Sequence, residues 1–387
     1  MNVKMLNHVS LDGDVIIKRG AGSGTGGSGG GSSTPSRPTW TGHADAEGLR
    51  AIGWTDEDIA YYQANGVNWN EEDDEYHKVS EDNKALYGVL TADNISTYKD
   101  RIVYLPKIDT SGKTGMQYMF DSCYSLVYIP QLDTANVTDM EYMFHHCFSL
   151  ASIPLLNTSN VTSMSGMFYS CYSLVSIPQL DTGKVMFMNN MFSECSLLVS
   201  IPLLNTSNVT SMSYIFANCY SLVSIPQLDT GKVGNMEYMF SNCLSLASIP
   251  LLNTSNVTSM SNMFYSCYSL VSIPQLDTGK VMANGNIIRY CYSLVCIRGL
   301  DSKGSYQDWS MLNCYSIRYL YIKNLKKSCL LEDSSLLSKE SLLYIINNEA
   351  ATSAITIKLA SYAYERLATD PDIVAALANH PNISLAK

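Results

Sequence analysis

The chain has 387 residues, enough for two or three domains, and its 46% aliphatic and aromatic content allows a sizeable core. A formal net charge of −10 and a sequence pI near 5.0 exclude a basic nucleic-acid-binding surface, and the same acidity argues against an anionic membrane as partner. Tyrosine outnumbers phenylalanine 26 to 9, which points to rings on the surface as well as in the core.

Residues 1–19 show short apolar alternation at Val9, Leu11, Val15 and Ile17, a strand pair too small to fold alone. They contain no apolar run of signal-peptide or membrane-helix length, so membrane insertion is not expected. Residues 20–38 form a Gly/Ser-rich tether stiffened by prolines at its end. This is no phosphate-binding loop, because neither a following Lys-Ser/Thr nor a helix opens from it. Residues 39–100 read as a small helical module: Thr55 with Asp58 forms a capping box, Gly66 is a stop, and Trp40, Trp54 and Trp69 supply a core.

From residue 101 to 325 one phrase recurs. Pro106, Pro130, Pro154, Pro178, Pro202, Pro226, Pro250 and Pro274 are each 24 apart. Cys123, Cys147, Cys171, Cys195, Cys219, Cys243, Cys267 and Cys291 keep the same period. Repeats of this length cannot bury a face alone, so coils must stack into a solenoid with one continuous core. In the copy around Phe168, the spacing of Met164, Met167, Phe168 and Cys171 predicts one face of a short helix or helical turn. Leu174 to Ile177 then predicts a strand that Pro178 limits. The expected fold class is α/β, a leucine-rich-repeat-type solenoid of 24-residue coils with a parallel sheet on one face. Residues 326–387 read as a C-terminal α/β cap, with a helix capped by Ser338, a strand at Ile355, Ile357 and Leu359, two further helices and a last strand at Ile383 to Leu385.

The column three places after the proline alternates Asp133, Asn157, Asp181, Asn205, Asp229, Asn253, Asp277. Side-chain bonds to the turn backbone are the expected role, and interleaved Asn spaces out the carboxylates. Lys184, Lys232 and Lys280, three residues after alternate aspartates, read as counter-charges. The cysteine column reads as buried thiols, since side chains of one column point the same way and suit a disulfide poorly. No C-x-x-C or H-E-x-x-H occurs, so neither a metal, a cofactor nor catalysis is expected. The residues offered for ligand binding are the variable surface positions Tyr118, Tyr142, His145, His146, Tyr169, Tyr214, Tyr238 and Tyr265. Tyrosine among Ser and Asn gives wide contact at low entropic cost, while a tyrosine column can also simply pack over the coil edge.

The pattern F-x-x-C-x-x-L-x-x-I-P, as in Phe168, Cys171, Leu174, Ile177 and Pro178, resembles the BspA-like leucine-rich repeats of bacterial and phage surface proteins. The N-terminal KMLNHVSLDGDVIIKRG with its Gly/Ser run is similar to the starts of fibre and tail-associated proteins of bacteriophages of gut bacteria. Together these resemblances imply a virion appendage subunit assembled in the host cytoplasm. It would join other virion proteins through its N-terminal segment, form a homo-oligomer and present its solenoid to a host surface glycan or protein. A bacterial cell-surface adhesin, a polysaccharide-degrading appendage enzyme and a purely structural subunit are the alternatives.

Overall fold

The computed structural model describes residues 90–387 apart from 101, 104, 106, 107, 283, 284 and 304–307, all within the second of two units, Val89–Lys387. The expected N-terminal anchor, tether and helical module lie outside these residues, save the four-residue helix α1 (Ile95–Tyr98). Among the described residues no helix is long and apolar enough to cross a membrane.

The repeat forms a stacked coil, and its registration is the 24-residue period of the sequence. Parallel bridges join Gly115 to Asp139, Asp139 to Ser163, Ser163 to Phe187 and onward through Ser259. Within a coil, Val161, Met164, Met167, Phe168, Cys171, Leu174, Ile177 and Leu180 are all buried. Their dominant spacing is three, shorter than the 3.6 of a helix. Backbone bonds explain it: Met167 N donates to Met164 O (3.2 Å), Cys171 N to Phe168 O (3.0 Å) and Leu174 N to Cys171 O (3.1 Å). Each such turn begins and ends on an inward residue, so the stretch from Met164 to Leu174 is a string of β-turns.

The helical piece expected at Met164 to Cys171 is therefore corrected. These four side chains do share the inward side, but Gly166 and Ser170 both have φ of +60°, which no right-handed helix admits. Left-handed residues recur in every coil, in one column from Tyr118 to Asn286 and in another from Ser122 to Tyr290. That backbone costs about 1–2 kcal/mol at each non-glycine residue. The conformation aims alternate N–H groups at the next coil, which offsets the cost. Met164, Gly166, Phe168 and Ser170 donate to the carbonyls of Phe187, Asn189, Met191 and Ser193 at 2.7–3.0 Å.

The opposite side is also less regular than a continuous sheet. Through the central coils single backbone bonds, such as Val175 N to Ala151 O (3.2 Å), stand where a ladder was expected, because the proline column supplies no donor. Strands appear towards the C-terminus: β1 (Phe264–Tyr265), β2 (Ser272–Ile273), β3 (Ile288–Arg289), β4 (Cys296–Asp301), β5 (Trp309–Ser310), β6 (Tyr319–Lys323) and β7 (Cys329–Leu331). β4 reaches six residues where Arg298 occupies the proline column. β1 pairs with β3, and β2, β4 and β6 form a second parallel sheet.

Beyond β7 the coils lengthen to accommodate helices. α2 (Lys339–Asn347), β8 (Ile355–Leu359), α3 (Ser361–Leu367), α4 (Pro371–Asn379) and β9 (Ile383–Ala386) follow. β5, β7, β8 and β9 form one parallel sheet in which Cys329 pairs with Ile357 and Ile355 with Ile383. Ser338 caps α2 by accepting from Ser341 N, and Asp370 caps α4 ahead of Pro371, both satisfying orphan N–H groups.

The core is a pair of ladders. Phe120, Phe144, Phe168, Phe192, Phe216, Phe240 and Phe264 are fully buried and stack with ring centroids 5.3–5.8 Å apart. The cysteines beside them are free thiols, and from Cys147 to Cys291 each donates to a phenylalanine carbonyl of the preceding coil at 3.0–3.2 Å. In the Asp/Asn column the expected turn bonds form: Asp133, Asp181 and Asp229 accept from the N–H two residues on, as do Asn157, Asn205 and Asn253. The lysines do not pair with those aspartates. Lys184, Lys232 and Lys280 instead donate to Asn160, Asn208 and Asn256 of the preceding coil at 2.7–2.9 Å. Those asparagines belong to the lysines' own column, and their amides donate in turn to the backbone one coil further back. An extended lysine reaches along the stack more readily than it folds back on its own turn.

Candidate functional site

Left-handed backbone decides what the turn side displays. Five of the eight surface residues singled out by sequence converge there on one patch. Tyr118 and Tyr142 stack at 5.1 Å with planes 10° apart. Tyr142 meets His145 edge-on at 5.3 Å, His145 stacks on His146 at 3.7 Å, and Tyr169 lies 5.1 Å and 5.9 Å from the two imidazoles. His145 and His146 are neighbours in sequence, yet their rings lie together because His146 has φ of 58°.

Gly166 makes room for this arrangement. It occupies the Tyr118 column, and a Cβ there would come within 2.2 Å of the Tyr142 ring. The remaining sequence candidates lie apart. Tyr214 and Tyr238 stack on each other at 4.5 Å, and Tyr265 packs edge-on against Tyr290 at 5.3 Å. Tyr290 in turn contacts Tyr292, which stacks between Tyr268 and Tyr315.

Three members of the main patch, Phe148, Asp121 and Glu194, were not among the residues the sequence offered for ligand binding. Phe148 stacks between Tyr124 and Tyr172 at 4.9 Å and 4.8 Å and touches His146 edge-on. Asp121 bonds His145 Nδ1 through Oδ1 at 2.7 Å. Glu194 accepts from Ser170 Oγ (2.8 Å) and Tyr172 Oη (3.2 Å), with Tyr169 Oη at 3.4 Å. The signal for the carboxylates was present: Asp121 is 24 residues before His145, and Glu194 is 24 after Ser170.

Partial burial holds the Tyr142 hydroxyl above the usual phenol range, and burial followed by the Glu194 charge does the same for Tyr169. The phenols therefore remain neutral hydrogen-bonding groups at neutral pH. His146 is shifted down, first by burial and then by the neighbouring His145. The patch thus offers ring surface, neutral hydroxyls, two imidazoles and two carboxylates, a set suited to gripping a ligand.

A shallow groove of about 540 Å³ lies elsewhere along the coils, lined by Gln227, Leu251, Asn253, Gln275 and Asp277 among others. Leu155, Leu203 and Leu251 stand about 60% exposed, one in every second coil. Gln131, Gln179 and Gln227 fill the alternate positions and donate to the carbonyls of these leucines.

Among solved structures, the chain is similar to a leucine rich cell surface protein from Faecalibacterium prausnitzii A2-165, at 21% identity and a TM-score of 0.31 over 57% of this chain and 73% of that one. It is also similar to a leucine-rich repeat protein of T. pallidum, at 17% identity and a TM-score of 0.25 over 63% of this chain and 80% of that one. An internalin of Listeria monocytogenes gives 12% identity and a TM-score of 0.26 over 75% and 84%. No curated protein matches the sequence. One family profile matches residues 93–200 and 199–294, together just over half of the chain and nearly the whole run of 24-residue coils. By that match the chain belongs to the family described as Mycoplasma protein of unknown function, DUF285.

Proposed function

We propose that the chain is a non-enzymatic recognition protein of a bacterial cell surface, an adhesin-like solenoid that grips a ligand through the aromatic patch around Tyr118, Tyr142, His145, His146 and Tyr169. The observation that carries this reading is a conflict between backbone and side chain. The Tyr118 column is left-handed in all eight coils, and in four of them it holds Gly166, Asn190, Asn262 and Asn286, the residue types that tolerate such a backbone. In the other four it holds Tyr118, Tyr142, Tyr214 and Tyr238, which that backbone disfavours. A residue held against its local preference marks selection for something other than folding, and here the residue is a large ring at the surface. Tyrosine with serine, asparagine and histidine around it is the chemistry of adaptable contact surfaces.

The virion reading rests on the first twenty residues, which lie outside the described region. The family match covers residues 93–294 and none of that segment, so the cell-surface reading is the one put to the test here. Surface labelling of uninfected bacteria that express the protein separates the two, since only an adhesin is exposed there without phage particles.

The binding test replaces Tyr118 and Tyr142 of the patch together by asparagine, the residue this column already uses in other coils. Adhesion of protein-coated beads to target cells is expected to fall about tenfold or more, the loss expected when two aromatic contacts worth about 0.5–1.5 kcal/mol each are removed, with the circular-dichroism spectrum retained. Unchanged adhesion by the folded variant overturns the reading, as does cleavage of host polysaccharide by the wild-type protein.

A further inference from the structure

We propose that Asp121, His145 and His146 form a binding site for a borderline divalent transition-metal ion of the zinc class. One ligand atom from each of these three residues lies within 4.8 Å of the others. The Asp121 carboxylate and His145 Nδ1 are already 2.7 Å apart, and the two imidazole rings are 3.7 Å apart. Zinc bonds of about 2.0–2.1 Å in tetrahedral geometry put neighbouring ligand atoms about 3.3 Å apart, a spacing inside the range these side chains span. The metal takes the place of the proton between Asp121 and His145 and draws in His146.

The donor set is chemically apt. Two imidazoles and one carboxylate suit zinc and its neighbours, whereas calcium and magnesium prefer oxygen alone. Three protein ligands leave a coordination position open to water or to a donor from an approaching ligand. Glu194, held by Ser170, Tyr169 and Tyr172, adds a second negative charge to the patch. Among the described residues neither Asp121 nor Glu194 has a lysine or arginine partner.

The repeat does not create this cluster by default. In the five coils that follow, the His145 column holds Tyr169, Ser193, Ala217, Ser241 and Tyr265, and the His146 column holds Ser170, Glu194, Asn218, Asn242 and Ser266. Among the described residues this is the one such group of three metal-ligating side chains. Adjacent residues of an extended chain point to opposite sides. The left-handed backbone at His146 turns its ring onto the side of His145 instead, which makes two neighbours available to one ion.

The test uses the full chain without an affinity tag, Zn²⁺ in competition with a chromophoric chelator, and Co²⁺ as a spectroscopic probe. Wild-type protein is expected to bind one equivalent of Zn²⁺. The substitutions His145→Tyr and His146→Ser insert residues that the next coil carries at those positions, so the coil keeps its fold. Each is expected to weaken binding by about tenfold or more, the size of loss seen even for outer-shell changes. Co²⁺ is expected to give visible bands without a thiolate charge-transfer band, because no cysteine belongs to the cluster. Absence of stoichiometric Zn²⁺ binding, equal binding by both folded variants, or a thiolate band overturns the proposal. None of these results bears on whether the aromatic patch mediates adhesion.

Discussion

The thiol of Cys171 donates to the carbonyl of Phe144, 3.0 Å away in the preceding coil, and the same bond recurs at each junction from Cys147 to Cys291. Cysteine is small enough to pack beside the phenylalanine ladder and still carries a donor. Replacing Cys171 by alanine removes the bond and leaves a small void. The expected cost is about 1–2 kcal/mol in urea unfolding, from the lost packing and the orphaned acceptor. A variant as stable as wild type would show that the thiol only fills space that neighbours can close.

The same column makes the protein sensitive to alkali. Burial holds the thiols of Cys147, Cys171, Cys195, Cys219, Cys243 and Cys267 well above their ordinary value of 9.0 and pushes Cys123 up to about 12. Unfolded thiols ionise above about pH 9 while the folded ones keep their protons, so the unfolded state binds fewer protons and stability falls as pH rises. The slope is about 1.4 kcal/mol per pH unit for each thiol, on the order of 10 kcal/mol per unit for seven. Circular dichroism is expected to show cooperative unfolding between about pH 9 and 11, with stability unaffected by these groups below that window. A solenoid intact at pH 12 contradicts this account.

Gly166 and Tyr142 are expected to be energetically coupled. Gly166→Ala places a methyl group into the Tyr142 ring and a side chain on a backbone with φ of +60°. The backbone term costs about 1–2 kcal/mol by itself. In a double-mutant cycle with Tyr142→Ala the clash disappears and the backbone term remains, so the coupling energy is expected to exceed about 0.5 kcal/mol. Strict additivity means that the ring swings clear at no cost.

The aspartates of the turn column act as hydrogen-bond acceptors. Asp181 Oδ1 accepts from Gly183 N at 3.0 Å, and the equivalent Asn157 and Asn205 do the same from Ser159 and Ser207. Asp181→Asn is therefore expected to change stability by less than about 0.5 kcal/mol, while Asp181→Ala costs about 1 kcal/mol. Chemical unfolding of both variants separates this role from an electrostatic one, in which the asparagine variant is as damaging as the alanine variant.

Much of the coil was legible because stacking repeats itself. The 24-residue spacing of Cys147 and Cys171 put them in adjacent coils, and the apolar columns named the core before any coordinate was known. Ser338 as a helix cap and the alternation of Ile355, Ile357 and Leu359 were legible as well, since caps and pleats are local. The short helix that Met164 through Cys171 also allowed did not form, and only single turns did. Spacings of three and four fit a helix, and only the inward residues before and after that stretch show that three is the rule.

The patch was half legible. Tyr118, Tyr142, His145, His146 and Tyr169 stood out as variable surface positions, but nothing local says that a lysine three residues from an aspartate prefers an asparagine one coil back. The same is true of Asp121, which needs the stack to reach His145. Sequence by itself determined the period, the buried columns and the turn residues, because these follow from local propensity and from like stacking upon like. Tertiary structure alone decided the left-handed backbone and the grouping of side chains 24 residues apart, because both depend on hydrogen bonds between coils that no single coil contains.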